Sequence, residues 1–167
     1  MIARCYIENN LTQLNNLYLK SYTTKKRNYY SKLAMLELCG WIEESMDEII
    51  QRCANRLLKD QHYKNLVKKE IIDPNYGFDY ERNFKKMLIS LIGIVNLERL
   101  ERILDPIKLL ILKSSLGTLK KARNKEAHTH LKGVTRNIES PSITLDLFYK
   151  VLDGLKDFEV KLKNLIM

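Results

Sequence analysis

Apolar residues along the chain return every three or four positions, the period of an α-helix that buries one face. Between about Tyr30 and Leu58 the stripe comprises Tyr30, Leu33, Ala34, Leu38, Trp41, Ile42, Ile49, Cys53 and Leu57, while Glu43, Glu44, Asp47 and Glu48 take other faces. The spacing predicts a second helix over about Tyr80–Leu104, through Phe84, Met87, Leu88, Leu91, Ile94, Val95 and Leu97. A last helix runs from about Ser142 to the C-terminus with Phe148, Val151, Leu152, Leu155, Phe158, Leu162 and Leu165. That stripe is narrow and near heptad spacing, which suits packing against another long helix.

The three prolines sit where this periodicity breaks. Pro74 lies in Asp73-Pro74-Asn75-Tyr76-Gly77, a turn by its chemistry, whereas Pro106 after Asp105 and Pro141 after Ser140 occupy helix starts. Strand-like alternation is confined to short fragments, and no repeat, low-complexity tract or linker divides the chain. Residues 1–167 therefore read as one all-α domain, a bundle of four to five helices.

Composition sharpens this picture. With 45% apolar and 29% charged residues the chain is globular rather than disordered. The richest apolar stretch, Met87 to Leu97, ends at Glu98, far short of the roughly 18 residues a membrane span needs, and reads as a buried helix segment. The first residues, Met1-Ile2-Ala3-Arg4-Cys5-Tyr6 and then Glu8-Asn9-Asn10, lack the pattern of a secretory leader. Cys5, Cys39 and Cys53 form no CxxC pair, and Cys39 and Cys53 fall in an apolar helical pattern as core thiols. These features point to a reducing, cytoplasmic location, with no disulfide framework, no metal site and no cofactor.

The net charge of +9 adds a partner class, because a basic surface attracts polyanions such as nucleic acid. Basic residues cluster at Lys25-Lys26-Arg27, Lys68-Lys69, Lys85-Lys86 and Lys120-Lys121-Ala122-Arg123-Asn124-Lys125. The last cluster opens the most informative stretch, which continues Glu126-Ala127-His128-Thr129-His130. On a helix Asn124 and His128 share a face, and the long Arg123 side chain can reach back towards them. An imidazole, an amide and a guanidinium would then emerge together within a basic patch. His62, in a polar connector, reads as a surface residue, and Tyr29-Tyr30 after Lys25-Lys26-Arg27 is the one other pairing of base-stacking and basic residues.

Arg123-Asn124-x-x-Ala127-His128 resembles the signature of HEPN domains: arginine, a polar residue, then histidine after four to six intervening positions. The resemblance covers the chain in architecture and about six residues in motif. It implies a HEPN-like bundle that pairs as a C2 homodimer, with two motifs facing one another in a composite site. It also implies an endoribonuclease that needs no metal, with Arg123, Asn124 and His128 catalytic and Lys120, Lys121 and Lys125 binding RNA. The residue types suit that chemistry. Histidine, with an ordinary pKa of about 6.5, serves as base or acid near neutrality, and arginine offers a charged fork matched to phosphate oxygens. Attack by the RNA's own 2′-hydroxyl would leave 2′,3′-cyclic phosphate and 5′-hydroxyl ends. His130 also satisfies the looser spacing, although the Asn and Ala positions favour His128. An acidic residue on an early helix often supports the family's site; Glu37, Glu43 and Glu44 are candidates for that auxiliary role. In the toxin branch silenced by adenylylation a tyrosine stands two residues after the histidine; His130 is there instead, so that regulation does not carry over. The implied setting is stress response, toxin–antitoxin activity or antiviral defence, with tRNA or mRNA as substrate and an antitoxin or other regulatory protein as partner. The alternatives are a HEPN module that binds RNA or protein without cutting, and a purely structural bundle.

Overall fold

The computed structural model describes residues 2–127 and 138–165, and every regular element among them is helical. In chain order these are α1 (Cys5–Lys20), α2 (Thr24–Leu57) and α3 (Gln61–Leu66), which continues as a π-helical stretch over Val67–Ile72. A loop then leads to a second π-helical stretch (Tyr80–Phe84), which passes into α4 (Lys85–Ile103), followed by α5 (Pro106–Ala127) and α6 (Pro141–Leu165). The all-helical class follows the sequence pattern, and the expected four to five helices become six among the described residues, one of them very short.

The helix starts follow local chemistry. The Thr23 hydroxyl accepts from the Lys26 backbone N–H at the head of α2. Asp105 caps α5, its carboxylate accepting from the N–H groups of Ile107 at 2.9 Å and Lys108 at 3.1 Å. Pro106 then fills the first helical position, where no N–H is needed. With 34 residues, α2 is about 50 Å long and spans the whole bundle. Met35, Leu38, Ile42, Met46, Ile49 and Ile50 are buried along it, and α1, α4, α5 and α6 all pack against it.

Cys39 and Cys53 lie buried in this stripe, as their positions in the pattern imply. Ile7, Leu11 and Leu14 of α1 close one side of the core, and Phe148, Val151, Leu155, Phe158 and Leu162 of α6 close another. Each such side chain contributes about 1.5–3 kcal/mol by leaving water. Aromatic rings lock the layers together: Phe158 meets Phe84 at 5.2 Å between centroids and Tyr80 at 5.8 Å. Trp41 meets Phe148 edge-on at 5.1 Å and donates its indole N–H to the Ala3 carbonyl at 2.7 Å.

The single helix expected over Tyr80–Leu104 is not what forms. It starts with a π-helical stretch and folds back at Gly93, whose φ of 77° and ψ of 160° are not helical. In a straight helix Lys85 and Glu101 would lie about 24 Å apart. Here Glu101 accepts from the Tyr80 hydroxyl at 2.6 Å and pairs with Lys85 Nζ at 3.1 Å. Residues 85–92 and 94–103 are thus two arms of a helical hairpin, and the Asn96 side chain donates to the Ile92 carbonyl at the bend. The bend also corrects the stripe: Ile94 and Val95, expected in the core, are 68% and 59% exposed at the tip. Leu97 and Leu100 of the returning arm, and Leu104 just after it, are buried instead. Among the described residues no helix is long and apolar enough to cross a membrane.

Candidate functional site

Two parts of the chain converge on the last turns of α5: the middle of α2 and the loop over residues 73–79. Arg123 leaves α5 towards α2, and its Nη1 donates to Glu43 Oε1 at 2.6 Å across 80 positions of sequence. The guanidinium carbon lies 5.2 Å from the centroid of the Phe78 ring, itself buried beneath it. Both members of the ion pair are about one-third exposed. Solvent screening therefore holds the pair near 1 kcal/mol or below, with a similar contribution from the ring. The arrangement stabilises the fold only slightly. Its main effect is to fix the direction of a charged guanidinium that is about one-third exposed.

One turn earlier on α5, Lys120 Nζ donates to Asp79 Oδ2 at 2.8 Å. The same carboxylate caps the second π-helical stretch by accepting from the Arg82 N–H at 2.9 Å. The Lys120 hydrogen bond and then the backbone bond from Arg82 hold the Asp79 carboxyl below its ordinary range. The loop is braced by Asn83. Its Nδ2 donates to Asn75 Oδ1 at 3.1 Å and to the Tyr76 carbonyl at 2.9 Å, and its Oδ1 accepts from the Asp79 N–H at 3.0 Å.

The α2 face of the site carries Cys39, Glu43 and Asp47 at successive turns. Burial pushes the Cys39 thiol up to about 12; Arg123 pulls it down and Glu43 pushes it further up. It stays protonated near neutrality and is no nucleophile. Asp47 is raised from 3.8 to about 6, first by burial and then by the negative charges of Glu43, Asp73 and Glu44, against the opposing pull of Lys68.

Of the sequence-derived site residues, Arg123 and Glu43 are brought into contact. Glu43 is thereby distinguished from its two rivals. Glu37 lies in a groove beside Asn10, Leu14 and Leu33 on the α1 side, and Glu44 is exposed. Asn124 is exposed next to Arg123 in the chain, whereas Lys121 and Lys125, each two positions from Arg123 and so about 200° round α5, are exposed on another side, by Met35 and the start of α6. Lys120, assigned to RNA from the sequence, is bound to Asp79. His128 and His130 lie outside the described residues.

His62 is a surface residue at the head of α3, its backbone N–H donating to Asp60 and its ring edge-on to Tyr63. Arg27 serves the fold, donating to the Ser21 carbonyl at 3.0 Å and lying over the Tyr18 ring. Phe78 and Asp79 were missed by sequence reasoning. The turn residues before them announce a loop, but nothing in their spacing says that the loop lands on α5. No protein-family model, no curated protein and no solved structure matches the chain.

Proposed function

We propose that this protein is a metal-independent endoribonuclease of HEPN type, acting as a C2 homodimer with a composite site at the ends of the two α5 helices. The observation that carries this reading is the seating of Arg123. A guanidinium fixed by Glu43 and Phe78 meets a phosphate in a set direction, with Asn124 exposed next to it in the chain. The all-helical bundle and the net charge of +9 agree with it.

In the proposed reaction a histidine base, His128 of one protomer, takes the proton of an RNA 2′-hydroxyl. The 2′-oxygen bonds to phosphorus while the bond from phosphorus to the 5′-oxygen breaks. The matching histidine of the second protomer protonates that leaving oxygen, and Arg123 stabilises the charge growing on the phosphate. Asn124 orients the imidazole or a phosphate oxygen without titrating. His130 is the alternative histidine. The substrate is a cellular RNA such as tRNA or mRNA, the setting a stress response or antiviral defence in the cytoplasm. An antitoxin or other regulatory protein would restrain the activity.

A second reading, a module that holds RNA without cutting it, is favoured by one feature: Arg123 and Lys120 already have carboxylate partners within the protomer. The deciding experiment incubates wild type and His128→Ala with total RNA and tRNA in excess EDTA and identifies the new ends. Cleavage by wild type alone, leaving 2′,3′-cyclic phosphates, is the expected result. Equal cleavage by both moves the assignment to His130 or to a contaminant, and salt-dependent binding without cleavage by wild type establishes the binding module.

A further inference from the structure

Tyr76 stands on the loop that carries Phe78 and Asp79, and its side chain is 88% exposed. Tyr6, in the first turn of α1, and Tyr22, just after that helix, are also exposed, but neither stands on the loop that meets Arg123. Tyr76 differs in its support. Its carbonyl accepts from Asn83 Nδ2 at 2.9 Å, and the neighbouring Asn75 side chain accepts from the same amide at 3.1 Å. The Asn75 backbone N–H closes the turn on the Ile72 carbonyl at 2.9 Å. On the other side, Phe78 is buried under Arg123 and Asp79 is bound to Lys120. A rigid loop therefore holds a phenol ring out into water within two residues, at most about 7 Å of chain, of the ring beneath Arg123.

Nearby acidic groups do not oppose a polyanion here as strongly as their number suggests. Asp73 is paired with Lys68 at 3.0 Å, Asp79 with Lys120, and Glu43 with Arg123. The Arg123 guanidinium, with five N–H donors, stays about one-third exposed. An aromatic face fixed next to a part-exposed guanidinium suits a flexible polyanion that carries its own aromatic faces, which is an unpaired nucleic-acid strand.

We propose that Tyr76 is a stacking platform for an unpaired base of single-stranded RNA whose neighbouring phosphate is held at Arg123. It rests on the reading of this site as an RNA site, and it does not require that the RNA be cut. A duplex cannot use the platform, because its base faces are already stacked on one another. The ring is required and the hydroxyl is not.

The test uses the full chain and a short single-stranded oligoribonucleotide of mixed sequence with every 2′-hydroxyl methylated, so that it binds without offering the attacking group. Tyr76→Ala is expected to weaken binding by about 5- to 100-fold, the usual worth of one stacked base, while Tyr76→Phe binds like wild type. The dependence of affinity on salt stays unchanged in Tyr76→Ala, since no charge is lost, but becomes shallower by about one ion in Arg123→Gln. In Tyr76→Trp, tryptophan emission is quenched by the single strand and not by a duplex of the same sequence, with wild type reporting the background from Trp41. Wild-type affinity in Tyr76→Ala, equal quenching by strand and duplex, or no binding of the strand by wild type each overturns the proposal. Binding through Tyr76 with no cleavage of unmodified RNA sinks the ribonuclease reading and leaves the platform standing. Cleavage of unmodified RNA that Tyr76→Ala leaves untouched does the reverse.

Discussion

Replacing Gly93 with alanine should destabilise the fold even though nothing stands in the way of the added methyl group. The φ of 77° and ψ of 160° at Gly93 lie in a region that is essentially restricted to glycine, and holding an L-residue there costs about 1–3 kcal/mol. A Cβ built at this position meets no atom within 4 Å, so the whole penalty is backbone strain. The chain cannot escape by straightening. A continuous helix would carry Glu101 about 24 Å from Lys85, breaking its bonds to Lys85 and the Tyr80 hydroxyl and drawing Leu97 and Leu100 out of the core. Gly40 is the control: it is exposed within α2, has helical neighbours on both sides and also meets nothing within 4 Å. Alanine there should stabilise by up to about 1 kcal/mol through helix propensity. At roughly 2–4 °C per kcal/mol for a chain of this size, Gly93→Ala should lower the melting temperature by about 2–12 °C and Gly40→Ala should raise it slightly. Thermal melts followed by far-UV circular dichroism, with urea titrations to check that the slope is unchanged, measure both. A Gly93→Ala variant as stable as Gly40→Ala would refute the hairpin.

Gly154 on α6 presents the opposite case, a steric one: a Cβ there would sit 2.8 Å from Leu112 Cβ, so Gly154→Ala should lose about 1–2 kcal/mol in urea titrations despite better helix propensity. Asp47 holds its proton more tightly in the fold than in the unfolded chain, 3.8 rising to about 6, so stability should fall as pH rises across that interval. Asp47→Asn should flatten the slope and stabilise the protein at neutral pH. Since Asp47 is only half-buried, screening leaves on the order of 1 kcal/mol, and an unchanged pH profile would count against the assignment. Glu43→Gln removes the carboxylate that neutralises Arg123 and also frees its direction. RNA affinity should rise a few-fold while cleavage drops at least about tenfold; filter binding and end-labelled cleavage separate the two, and an equal loss of both would argue that Glu43 only supports the fold.

By itself the sequence determined the helical class and where several helices begin. Burial of one face with a period of 3.6 residues is a local property of the chain, as are Asp105 and Pro106 at the start of α5. The Thr23 cap is local too, yet the apolar stripe begins only at about Tyr30, six residues inside the observed start of α2. It also brought Arg123 forward, because the motif is contiguous, and narrowed the acidic partner to three glutamates. Periodicity could not reveal the fold-back at Gly93, since a single glycine inside an apolar run is also compatible with a straight helix, and backbone angles are set by what the two arms bury. The choice of Glu43 over Glu37 and Glu44 likewise needed the tertiary structure. Neighbours on α2 point about 100° apart per residue, and only the packing of α5 against α2 decides which of those directions faces Arg123. The same holds for Phe78, Asp79 and the bracing of Tyr76: turn chemistry specifies that the chain reverses, whereas the long-range bonds from Lys120 and the Arg123 contact fix where the loop comes to rest.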